Sequence, residues 1–448
     1  MSEVIDLSPS PRSHIKTLTR VGYTLNSAVA DVIDNSITAK AGSIAIYAPP
    51  GVDSPFISIL DDGVGMSPEE LTRNMRIGCK DPSDDRERGD LGRFGSGMKT
   101  ASFSQARQLT VVSKADGHPI AAARWDIDRV EEEDSWCLEI FGADEVSRIR
   151  GVAPELFQSS GTQIIWGKLA FLGEDSHSLG ADAELDGRLK ELRAYLALHF
   201  HRFMTEAGGR KFRINGSTVR PIDPFMRSEH GYQEGPSARH RCKGGFIEIK
   251  THVLPHFKNM DPRRLEELGG AASVRLGQGL YIYREKRLII AGGWQGIRPS
   301  SPLGGLARVQ VDLPSALDHA WSTDVKKASL QIPPKVKREL RRYLADPVKK
   351  SRMVQSYKGK VEVLSGLWNV VEDETNNKVT YQIDTSNELL GELMERCGRE
   401  EKALVVKYLK ELSANLPVNH IFKSMSERPQ ELGQEDMEMQ ALEALLFD

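Results

Sequence analysis

Cysteine is scarce. Cys79, Cys137, Cys242 and Cys397 lie far apart in 448 residues, with no CxxC pair. That gives no zinc framework and fits a reducing compartment. Long apolar runs are absent too: none approaches the ~20 residues of a membrane span. The opening stretch MSEVIDLSPSPRS lacks the basic start and apolar core of a signal peptide. There is little net charge, since 60 Lys and Arg stand against 63 Asp and Glu, a formal −3. A generally basic nucleic-acid coat is excluded, though a local patch is not. HExxH is missing, and the histidines of HFHRF, His199 and His201, are two apart and share no helix face, so no metal site is expected there. The six tryptophans are scattered, and Trp321 reads as core packing. What remains, 39% hydrophobic and 27% charged, is an ordinary soluble chain of two or three domains. A cytoplasmic protein with no membrane segment is expected.

Three short segments carry chemistry. AVADVIDNS, residues 28–36, has the three-and-four apolar spacing of a helix that buries one face. Asp31 and Asn35 are four apart, so they stack on one side of that helix. Both sit well inside it, where capping does not explain them. LDDGVGM, residues 60–66, follows an extended run and precedes the helix signal SPEEL. Gly63 and Gly65 allow a tight turn with close backbone approach, and Asp61 sits at the strand end, placed to accept a hydrogen bond from an amino group. The third is GRFGSGMKTA, residues 92–101. It is not the dinucleotide GxGxxG, and Met98 separates Gly97 from Lys99, so it is not a P-loop. It reads as a glycine-rich entry to a helix over about residues 96–105, whose free N–H groups hold phosphates. The charged, glycine-rich stretch before it has the composition of a mobile lid.

The chain divides into three regions. Residues 1–165 alternate helical and extended patterns, with strands expected at 43–48, 56–62, 109–115 and 162–167. Residues 166–345 open on a long helix, about 183–206, and continue through the strand signals FRING, GFIEIKTHV and GLYIYREKRLIIAGG. Residues 346–448 read as helical and acidic. Across the last boundary lies a basic stretch, 335–360, led by the proline-started helix PPKVKRELRRYL. It is either a nucleic-acid surface or the solvated face of a helix.

The order DxxxN, DxGxG, GxxGxG and then SGT at residues 160–162 resembles the GHKL ATPases. These share the Bergerat nucleotide fold of gyrase B, MutL, the ninety-kilodalton heat-shock chaperone, MORC proteins and histidine kinases. The MORC and MutL branch is the nearest in look, through GRFGSGMKTAS and a second region similar to that branch's transducer domain. The resemblance spans about residues 14–345; in the second region FRINGSTVRPIDPF and GLYIYREKRLIIAGGW, followed by VDLP and WSTDVKKASL, look like bacterial MORC-type ATP-binding proteins. A histidine kinase is not expected, because the motifs begin too near the N-terminus for a phospho-acceptor hairpin upstream.

The resemblance implies a two-layer α/β sandwich with a mixed sheet, a βαβ-type transducer domain, and a mainly helical C-terminal region. It implies an ATPase using ATP and Mg²⁺. Asn35 would ligate Mg²⁺, Asp31 would be the general base, and Asp34 would support the pocket. Asp61 would take the adenine amino group, with room from Gly63 and Gly65 beside Met66 and support from Thr162 through a water or hydroxyl bond. Gly92, Gly95, Ser96, Gly97, Met98 and Lys99 would form the phosphate-binding turn. Lys326 or Lys327 would reach from the transducer to the γ-phosphate, stabilising the charge developed in transfer. One departure stands out: most of the family carries Glu where this chain has Asp31. One methylene fewer shortens the reach by roughly 1.3 Å, which matters at hydrogen-bond range. Slow hydrolysis, or a nucleotide used mainly as a switch, follows from that. Lid closure would drive homodimerisation, with DNA or a DNA-acting protein as partner, in restriction or phage defence by analogy. The alternatives are a protein-binding chaperone or clamp and an ATP-sensing scaffold with little turnover.

Overall fold

Local chemistry starts the first helices. In the computed structural model, which describes residues 10–78, 97–172, 179–242, 245–318, 321, 332–358, 367–373 and 378–417, α1 (Pro11–Thr19) begins at Ser10, whose hydroxyl accepts from the Ser13 amide. Helix α2 (Leu25–Thr38) begins at a capping box in which Thr24 and Ser27 each accept the other's backbone N–H. It buries Leu25, Val29, Val32, Ile33 and Ile37. Each contributes about 1.5–3 kcal/mol, the scale needed to hold Asp31 and Asp34 out of water, since desolvation costs several kcal/mol per ion.

Strands β1 (Ser43–Tyr47) and β2 (Ile57–Asp61) follow. Helix α3 (Pro68–Met75) then opens on a second capping box, Ser67 with Glu70. Helix α4 (Gly97–Phe103) leads into β3 (Ala106–Lys114), β4 (Ala121–Asp126), α5 (Ile127–Glu133), β5 (Glu139–Phe141), α6 (Ala143–Val146) and β6 (Gly161–Leu169). The helix expected over 183–206 is α7 (Leu179–His199) with a short α8 (His201–Thr205), broken at Phe200, whose φ of −112° and ψ of 10° leave the helical region. Strands β7 (Lys211–Ile214) and β8 (Ser217–Thr218) come next, and they lie past residue 165 yet complete the first sheet.

That sheet runs β5-β4-β3-β6-β2-β1-β7-β8. Only β1 and β7 pair in parallel, so the sheet is mixed. Side chains alternate across it. Val111 and Ile164 face the helical layer with Ile33 and Leu192, while Val112 and Ile165 face a smaller cluster with Val146, Ile149 and Leu156. This is an α/β sandwich with its main core under the helices.

The second sheet uses β9 (Gln233–Cys242), β10 (Gly245–Val253), β11 (Gly279–Arg284), β12 (Arg287–Ala291) and β13 (Ala307–Leu313). Between β10 and β11 lie α9 (Pro262–Glu267) and α10 (Gly270–Leu276). The strand order is β12-β11-β13-β10-β9, with β11 and β13 parallel. Helix α11 (Pro334–Lys358) lays Val336, Leu340, Leu344 and Val348 into the core of this sheet, where Trp321 is fully buried. The two sheets meet through α8, whose Arg202 pairs with Asp312 and lies 3.3 Å over the Tyr283 ring.

The C-terminal region departs from a purely helical reading. A hairpin of β14 (Trp368–Asp373) and β15 (Lys378–Ile383) precedes α12 (Glu388–Arg396) and α13 (Arg399–Ala414). WNVVED and KVTYQI carry β-branched and aromatic residues that favour strands, and the acidic content of the segment hid them.

Candidate active site

Helix α2 forms one wall of the site. Over residues 27–37 every residue is buried except Asn35. One exposed position in the middle of a buried helix marks an opening above it. Asp31 lies one turn earlier on the same side and is only 4% exposed. The Tyr23 hydroxyl donates to Asp31 Oδ2 at 3.0 Å. Arg287 Nη1, from β12 of the second sheet, reaches Asp31 Oδ1 at 3.3 Å and also pairs with Asp34. Burial works against the Arg287 charge, but Asp34 first, then Tyr195 and Asp31, more than offset it and raise its pKa above the ordinary arginine value. A Cβ at Gly97 would lie 3.9 Å from Asp31 Oδ2, so α4 starts beside that carboxylate.

Asp61 closes the other end. Its carboxylate accepts from Ser36 Oγ at 2.7 Å, from the Gly63 N–H at 3.0 Å, and from the Thr162 backbone. Burial pushes the Asp61 pKa above the ordinary carboxylate value, and these three donors oppose it. The turn that follows requires glycine. A Cβ at Gly63 would sit 2.8 Å from the Ala39 carbonyl oxygen, and one at Gly65, where φ is +67°, would sit 1.9 Å from that of Lys114.

Beyond the turn, the Met66 N–H donates to Ser113 Oγ at 2.9 Å. The hydroxyls of Ser113 and Thr162 are 2.9 Å apart. The Thr162 hydroxyl is thus engaged with Ser113, its backbone supports Asp61, and the hydroxyl on Asp61 belongs to Ser36. Met98 packs half-buried on the main core. Lys99 is buried and donates to the Asn74 carbonyl at 2.6 Å, tying α4 to α3. Gly92, Gly95, Ser96, Lys326 and Lys327 lie outside the described residues.

The structure therefore gathers Asp31, Asn35 and Gly97 at one end and Asp61, Gly63, Gly65, Met66 and Thr162 at the other. The Ser36–Asp61 bond joins the two groups. Sequence reading missed Tyr23, Ser36, Ser113 and Arg287. Ser36 adjoins Asn35 and was findable as the next polar position on α2. Arg287 carried no local signal.

Among the described residues no cluster of three or more His, Cys, Asp or Glu is placed to hold a metal. One exposed carboxamide, Asn35, fits a Mg²⁺ held mostly by phosphate oxygens and water, the usual arrangement for that ion. No helix among the described residues is long and apolar enough to cross a membrane.

Residues 23–162 match the family described as histidine kinase-, DNA gyrase B- and HSP90-like ATPase. The match begins at the residue that donates to Asp31 and ends at the residue paired with Asp61. With the mixed-sheet sandwich and the ordered motifs, it defines residues 23–162 as a domain of the GHKL ATPases. A stretch of 91 residues is 32% identical to ATPase morc-1 of Caenorhabditis elegans. That stretch covers 20% of this chain and 10% of the relative's length, so the chain shares only a small part of that relative.

Proposed function

We propose that the protein binds ATP with Mg²⁺ and hydrolyses it, using the nucleotide as a conformational switch. The observation that carries this reading is Asn35, the one exposed residue in the buried run 27–37 of α2, one turn from Asp31 and next to Ser36, which hydrogen-bonds Asp61. In this reading the adenine amine donates to the Asp61 carboxylate. The Gly63–Gly65 turn lets backbone pack against the base, and the phosphates run along α2 toward Gly97. Mg²⁺, when bound, draws charge off the phosphate oxygens. Asn35 contributes its carbonyl oxygen there, and Asp31 accepts the proton of the attacking water. Lys326 or Lys327 brings a cation to the γ-phosphate. Residues 166–345 act as the transducer.

Nucleotide-dependent homodimerisation belongs to the same proposal, and so does work on DNA or with a DNA-acting protein in the cytoplasm. The exposed residues Lys335, Arg338, Arg341 and Arg342 on α11 support the DNA step. A switch with little turnover is the second reading. It is favoured by the short Asp31 side chain, already engaged by Tyr23 and Arg287. Calorimetry with ATP and a phosphate-release assay separate the two: binding with turnover supports hydrolysis, binding without it supports the switch alone, and no binding removes both.

A further inference from the structure

The β11–β12 hairpin joins the second sheet to α2. Its two-residue turn, Glu285 and Lys286, has both residues at positive φ, 44° and 73°, the geometry of a tight hairpin turn. Arg284 and Arg287 are therefore cross-strand neighbours, and each is 2% exposed. Arg284 holds Asp318 through bonds of 2.7 and 2.6 Å. Glu285 accepts from the Ser315 N–H and hydroxyl at 2.8 and 2.9 Å. The hairpin is thus fixed to residues 315–318 of the second domain. Arg287, on the same face of the hairpin, lies 5.3 Å from the Phe200 ring and pairs with Asp34 and Asp31 of α2.

The two carboxylate contacts of Arg287 differ. Its bond to Asp34 is the close one, while that to Asp31, at 3.3 Å, lies at the long end of hydrogen-bond range. Both bonds come from Nη1, so a displacement of the hairpin moves the donor that the two carboxylates share. We propose that Arg287 is a positioning residue that sets the place of the Asp31 carboxylate and transmits the position of the second sheet to it. This rests on reading Asp31 as the acceptor of the water proton. The guanidinium keeps its charge in this buried position, where a lysine ammonium loses its charge more readily.

The test compares Asp31→Asn, Arg287→Gln, Arg287→Lys and the Asp31→Asn/Arg287→Gln double variant. ATP affinity is measured by calorimetry, and turnover is resolved into kcat and KM. Arg287→Gln is expected to keep ATP affinity within about threefold and to lose about tenfold or more in kcat. Arg287→Lys should recover part of that loss, and it remains the working variant where the glutamine protein does not fold. The double variant should be no slower than Asp31→Asn, because the two residues act through one carboxylate. Multiplying effects, or wild-type kcat in Arg287→Gln or Arg287→Lys, would overturn the assignment of Arg287. Wild-type turnover in Asp31→Asn would instead overturn the reading of Asp31 and the proposal with it. A slow Asp31→Asn beside a fast Arg287→Gln leaves Asp31 standing and removes only Arg287.

Discussion

Ser36 donates to Asp61 across 2.7 Å, and that bond ties the helix bearing Asp31 and Asn35 to the end of β2. Asp61 also gathers the N–H groups of Gly63 and Thr162. Both are obligate donors, and an adenine amine would be another. A carboxylate has two acceptor oxygens, whereas a carboxamide has one and carries donors of its own. Asp61→Asn should therefore abolish ATP binding, and calorimetry showing unchanged affinity would remove the pocket assignment.

The same carboxylate sets a pH dependence. Burial raises the Asp61 pKa above its ordinary 3.8. An adenine amine favours the ionised form, so binding must pull that pKa back down. Affinity should be flat near neutral pH and fall as pH drops through the raised value, with protons released on binding there. Adenosine as the probe keeps phosphate titration out of the measurement. In the free protein the sign is opposite for stability. A raised folded pKa favours folding below the unfolded value, and that contribution is lost as pH rises through the folded one. Proton uptake on adenosine binding, or none, would contradict the acceptor role.

Asp31→Asn should keep ATP and stop turnover. Asp31→Glu should keep or raise turnover, since the added methylene restores about 1.3 Å of reach. Phosphate release under excess ATP measures both. If the asparagine variant hydrolyses at the wild-type rate, another residue is the base.

Gly65→Ala tests the turn independently of charge. Its φ of +67° disfavours any L side chain, and the added Cβ would fall 1.9 Å from the Lys114 carbonyl oxygen. The substitution should destabilise by more than about 1 kcal/mol and weaken ATP binding, because the turn must open. Urea unfolding alongside calorimetry would show this, and a variant with wild-type stability and affinity would mean that the turn tolerates a side chain.

Much of this was legible before the fold was known. SPEEL, with Ser67 and Glu70, writes a helix start into the chain, and Val29, Ile33 and Ile37 give the period of α2. The β-branched strands β1, β2, β3 and β6 announced themselves. Strand β4, AAARWD, did not, because alanine has weak strand preference and only its pairing with β3 and β5 makes it a strand. Asp31, Asn35, Asp61 and Gly65 were visible because short spacings encode shared faces and tight turns. Tyr23, Ser36 and Ser113 enter as donors and acceptors that satisfy buried groups, a requirement that exists only once the chain is folded. Arg287 meets Asp31 across 256 positions of sequence, and no local pattern points to that pairing.

The last prediction concerns assembly and DNA. A lid that closes on the triphosphate creates a surface absent from the free protein, and two copies of one surface pair most simply about a twofold axis. Dimers should therefore appear with a non-hydrolysable ATP analogue and not without it, which light scattering reads directly. The basic side of α11 would then be present twice in one assembly. Its apolar stripe, Val336, Leu340, Leu344 and Val348, is committed to the second sheet's core, while Lys335, Arg338, Arg341 and Arg342 stand exposed. Arg342 is in part taken by Glu339 at 3.0 Å, an exposed pair that contributes at most about 1 kcal/mol and leaves the cation free to exchange partners. Duplex DNA should bind without sequence preference and weaken steeply with salt. Changing Lys337, Arg338, Arg341 and Arg342 to Glu should abolish that binding. Surface changes of this kind are usually within about 0.5 kcal/mol each, so the fold should persist. Fluorescence anisotropy across a salt series measures the loss, and each lost phosphate contact lowers the salt slope by about 0.9. Analogue-dependent dimers without DNA affinity would turn the reading toward a protein clamp or chaperone, and a monomer in both nucleotide states would remove the switch.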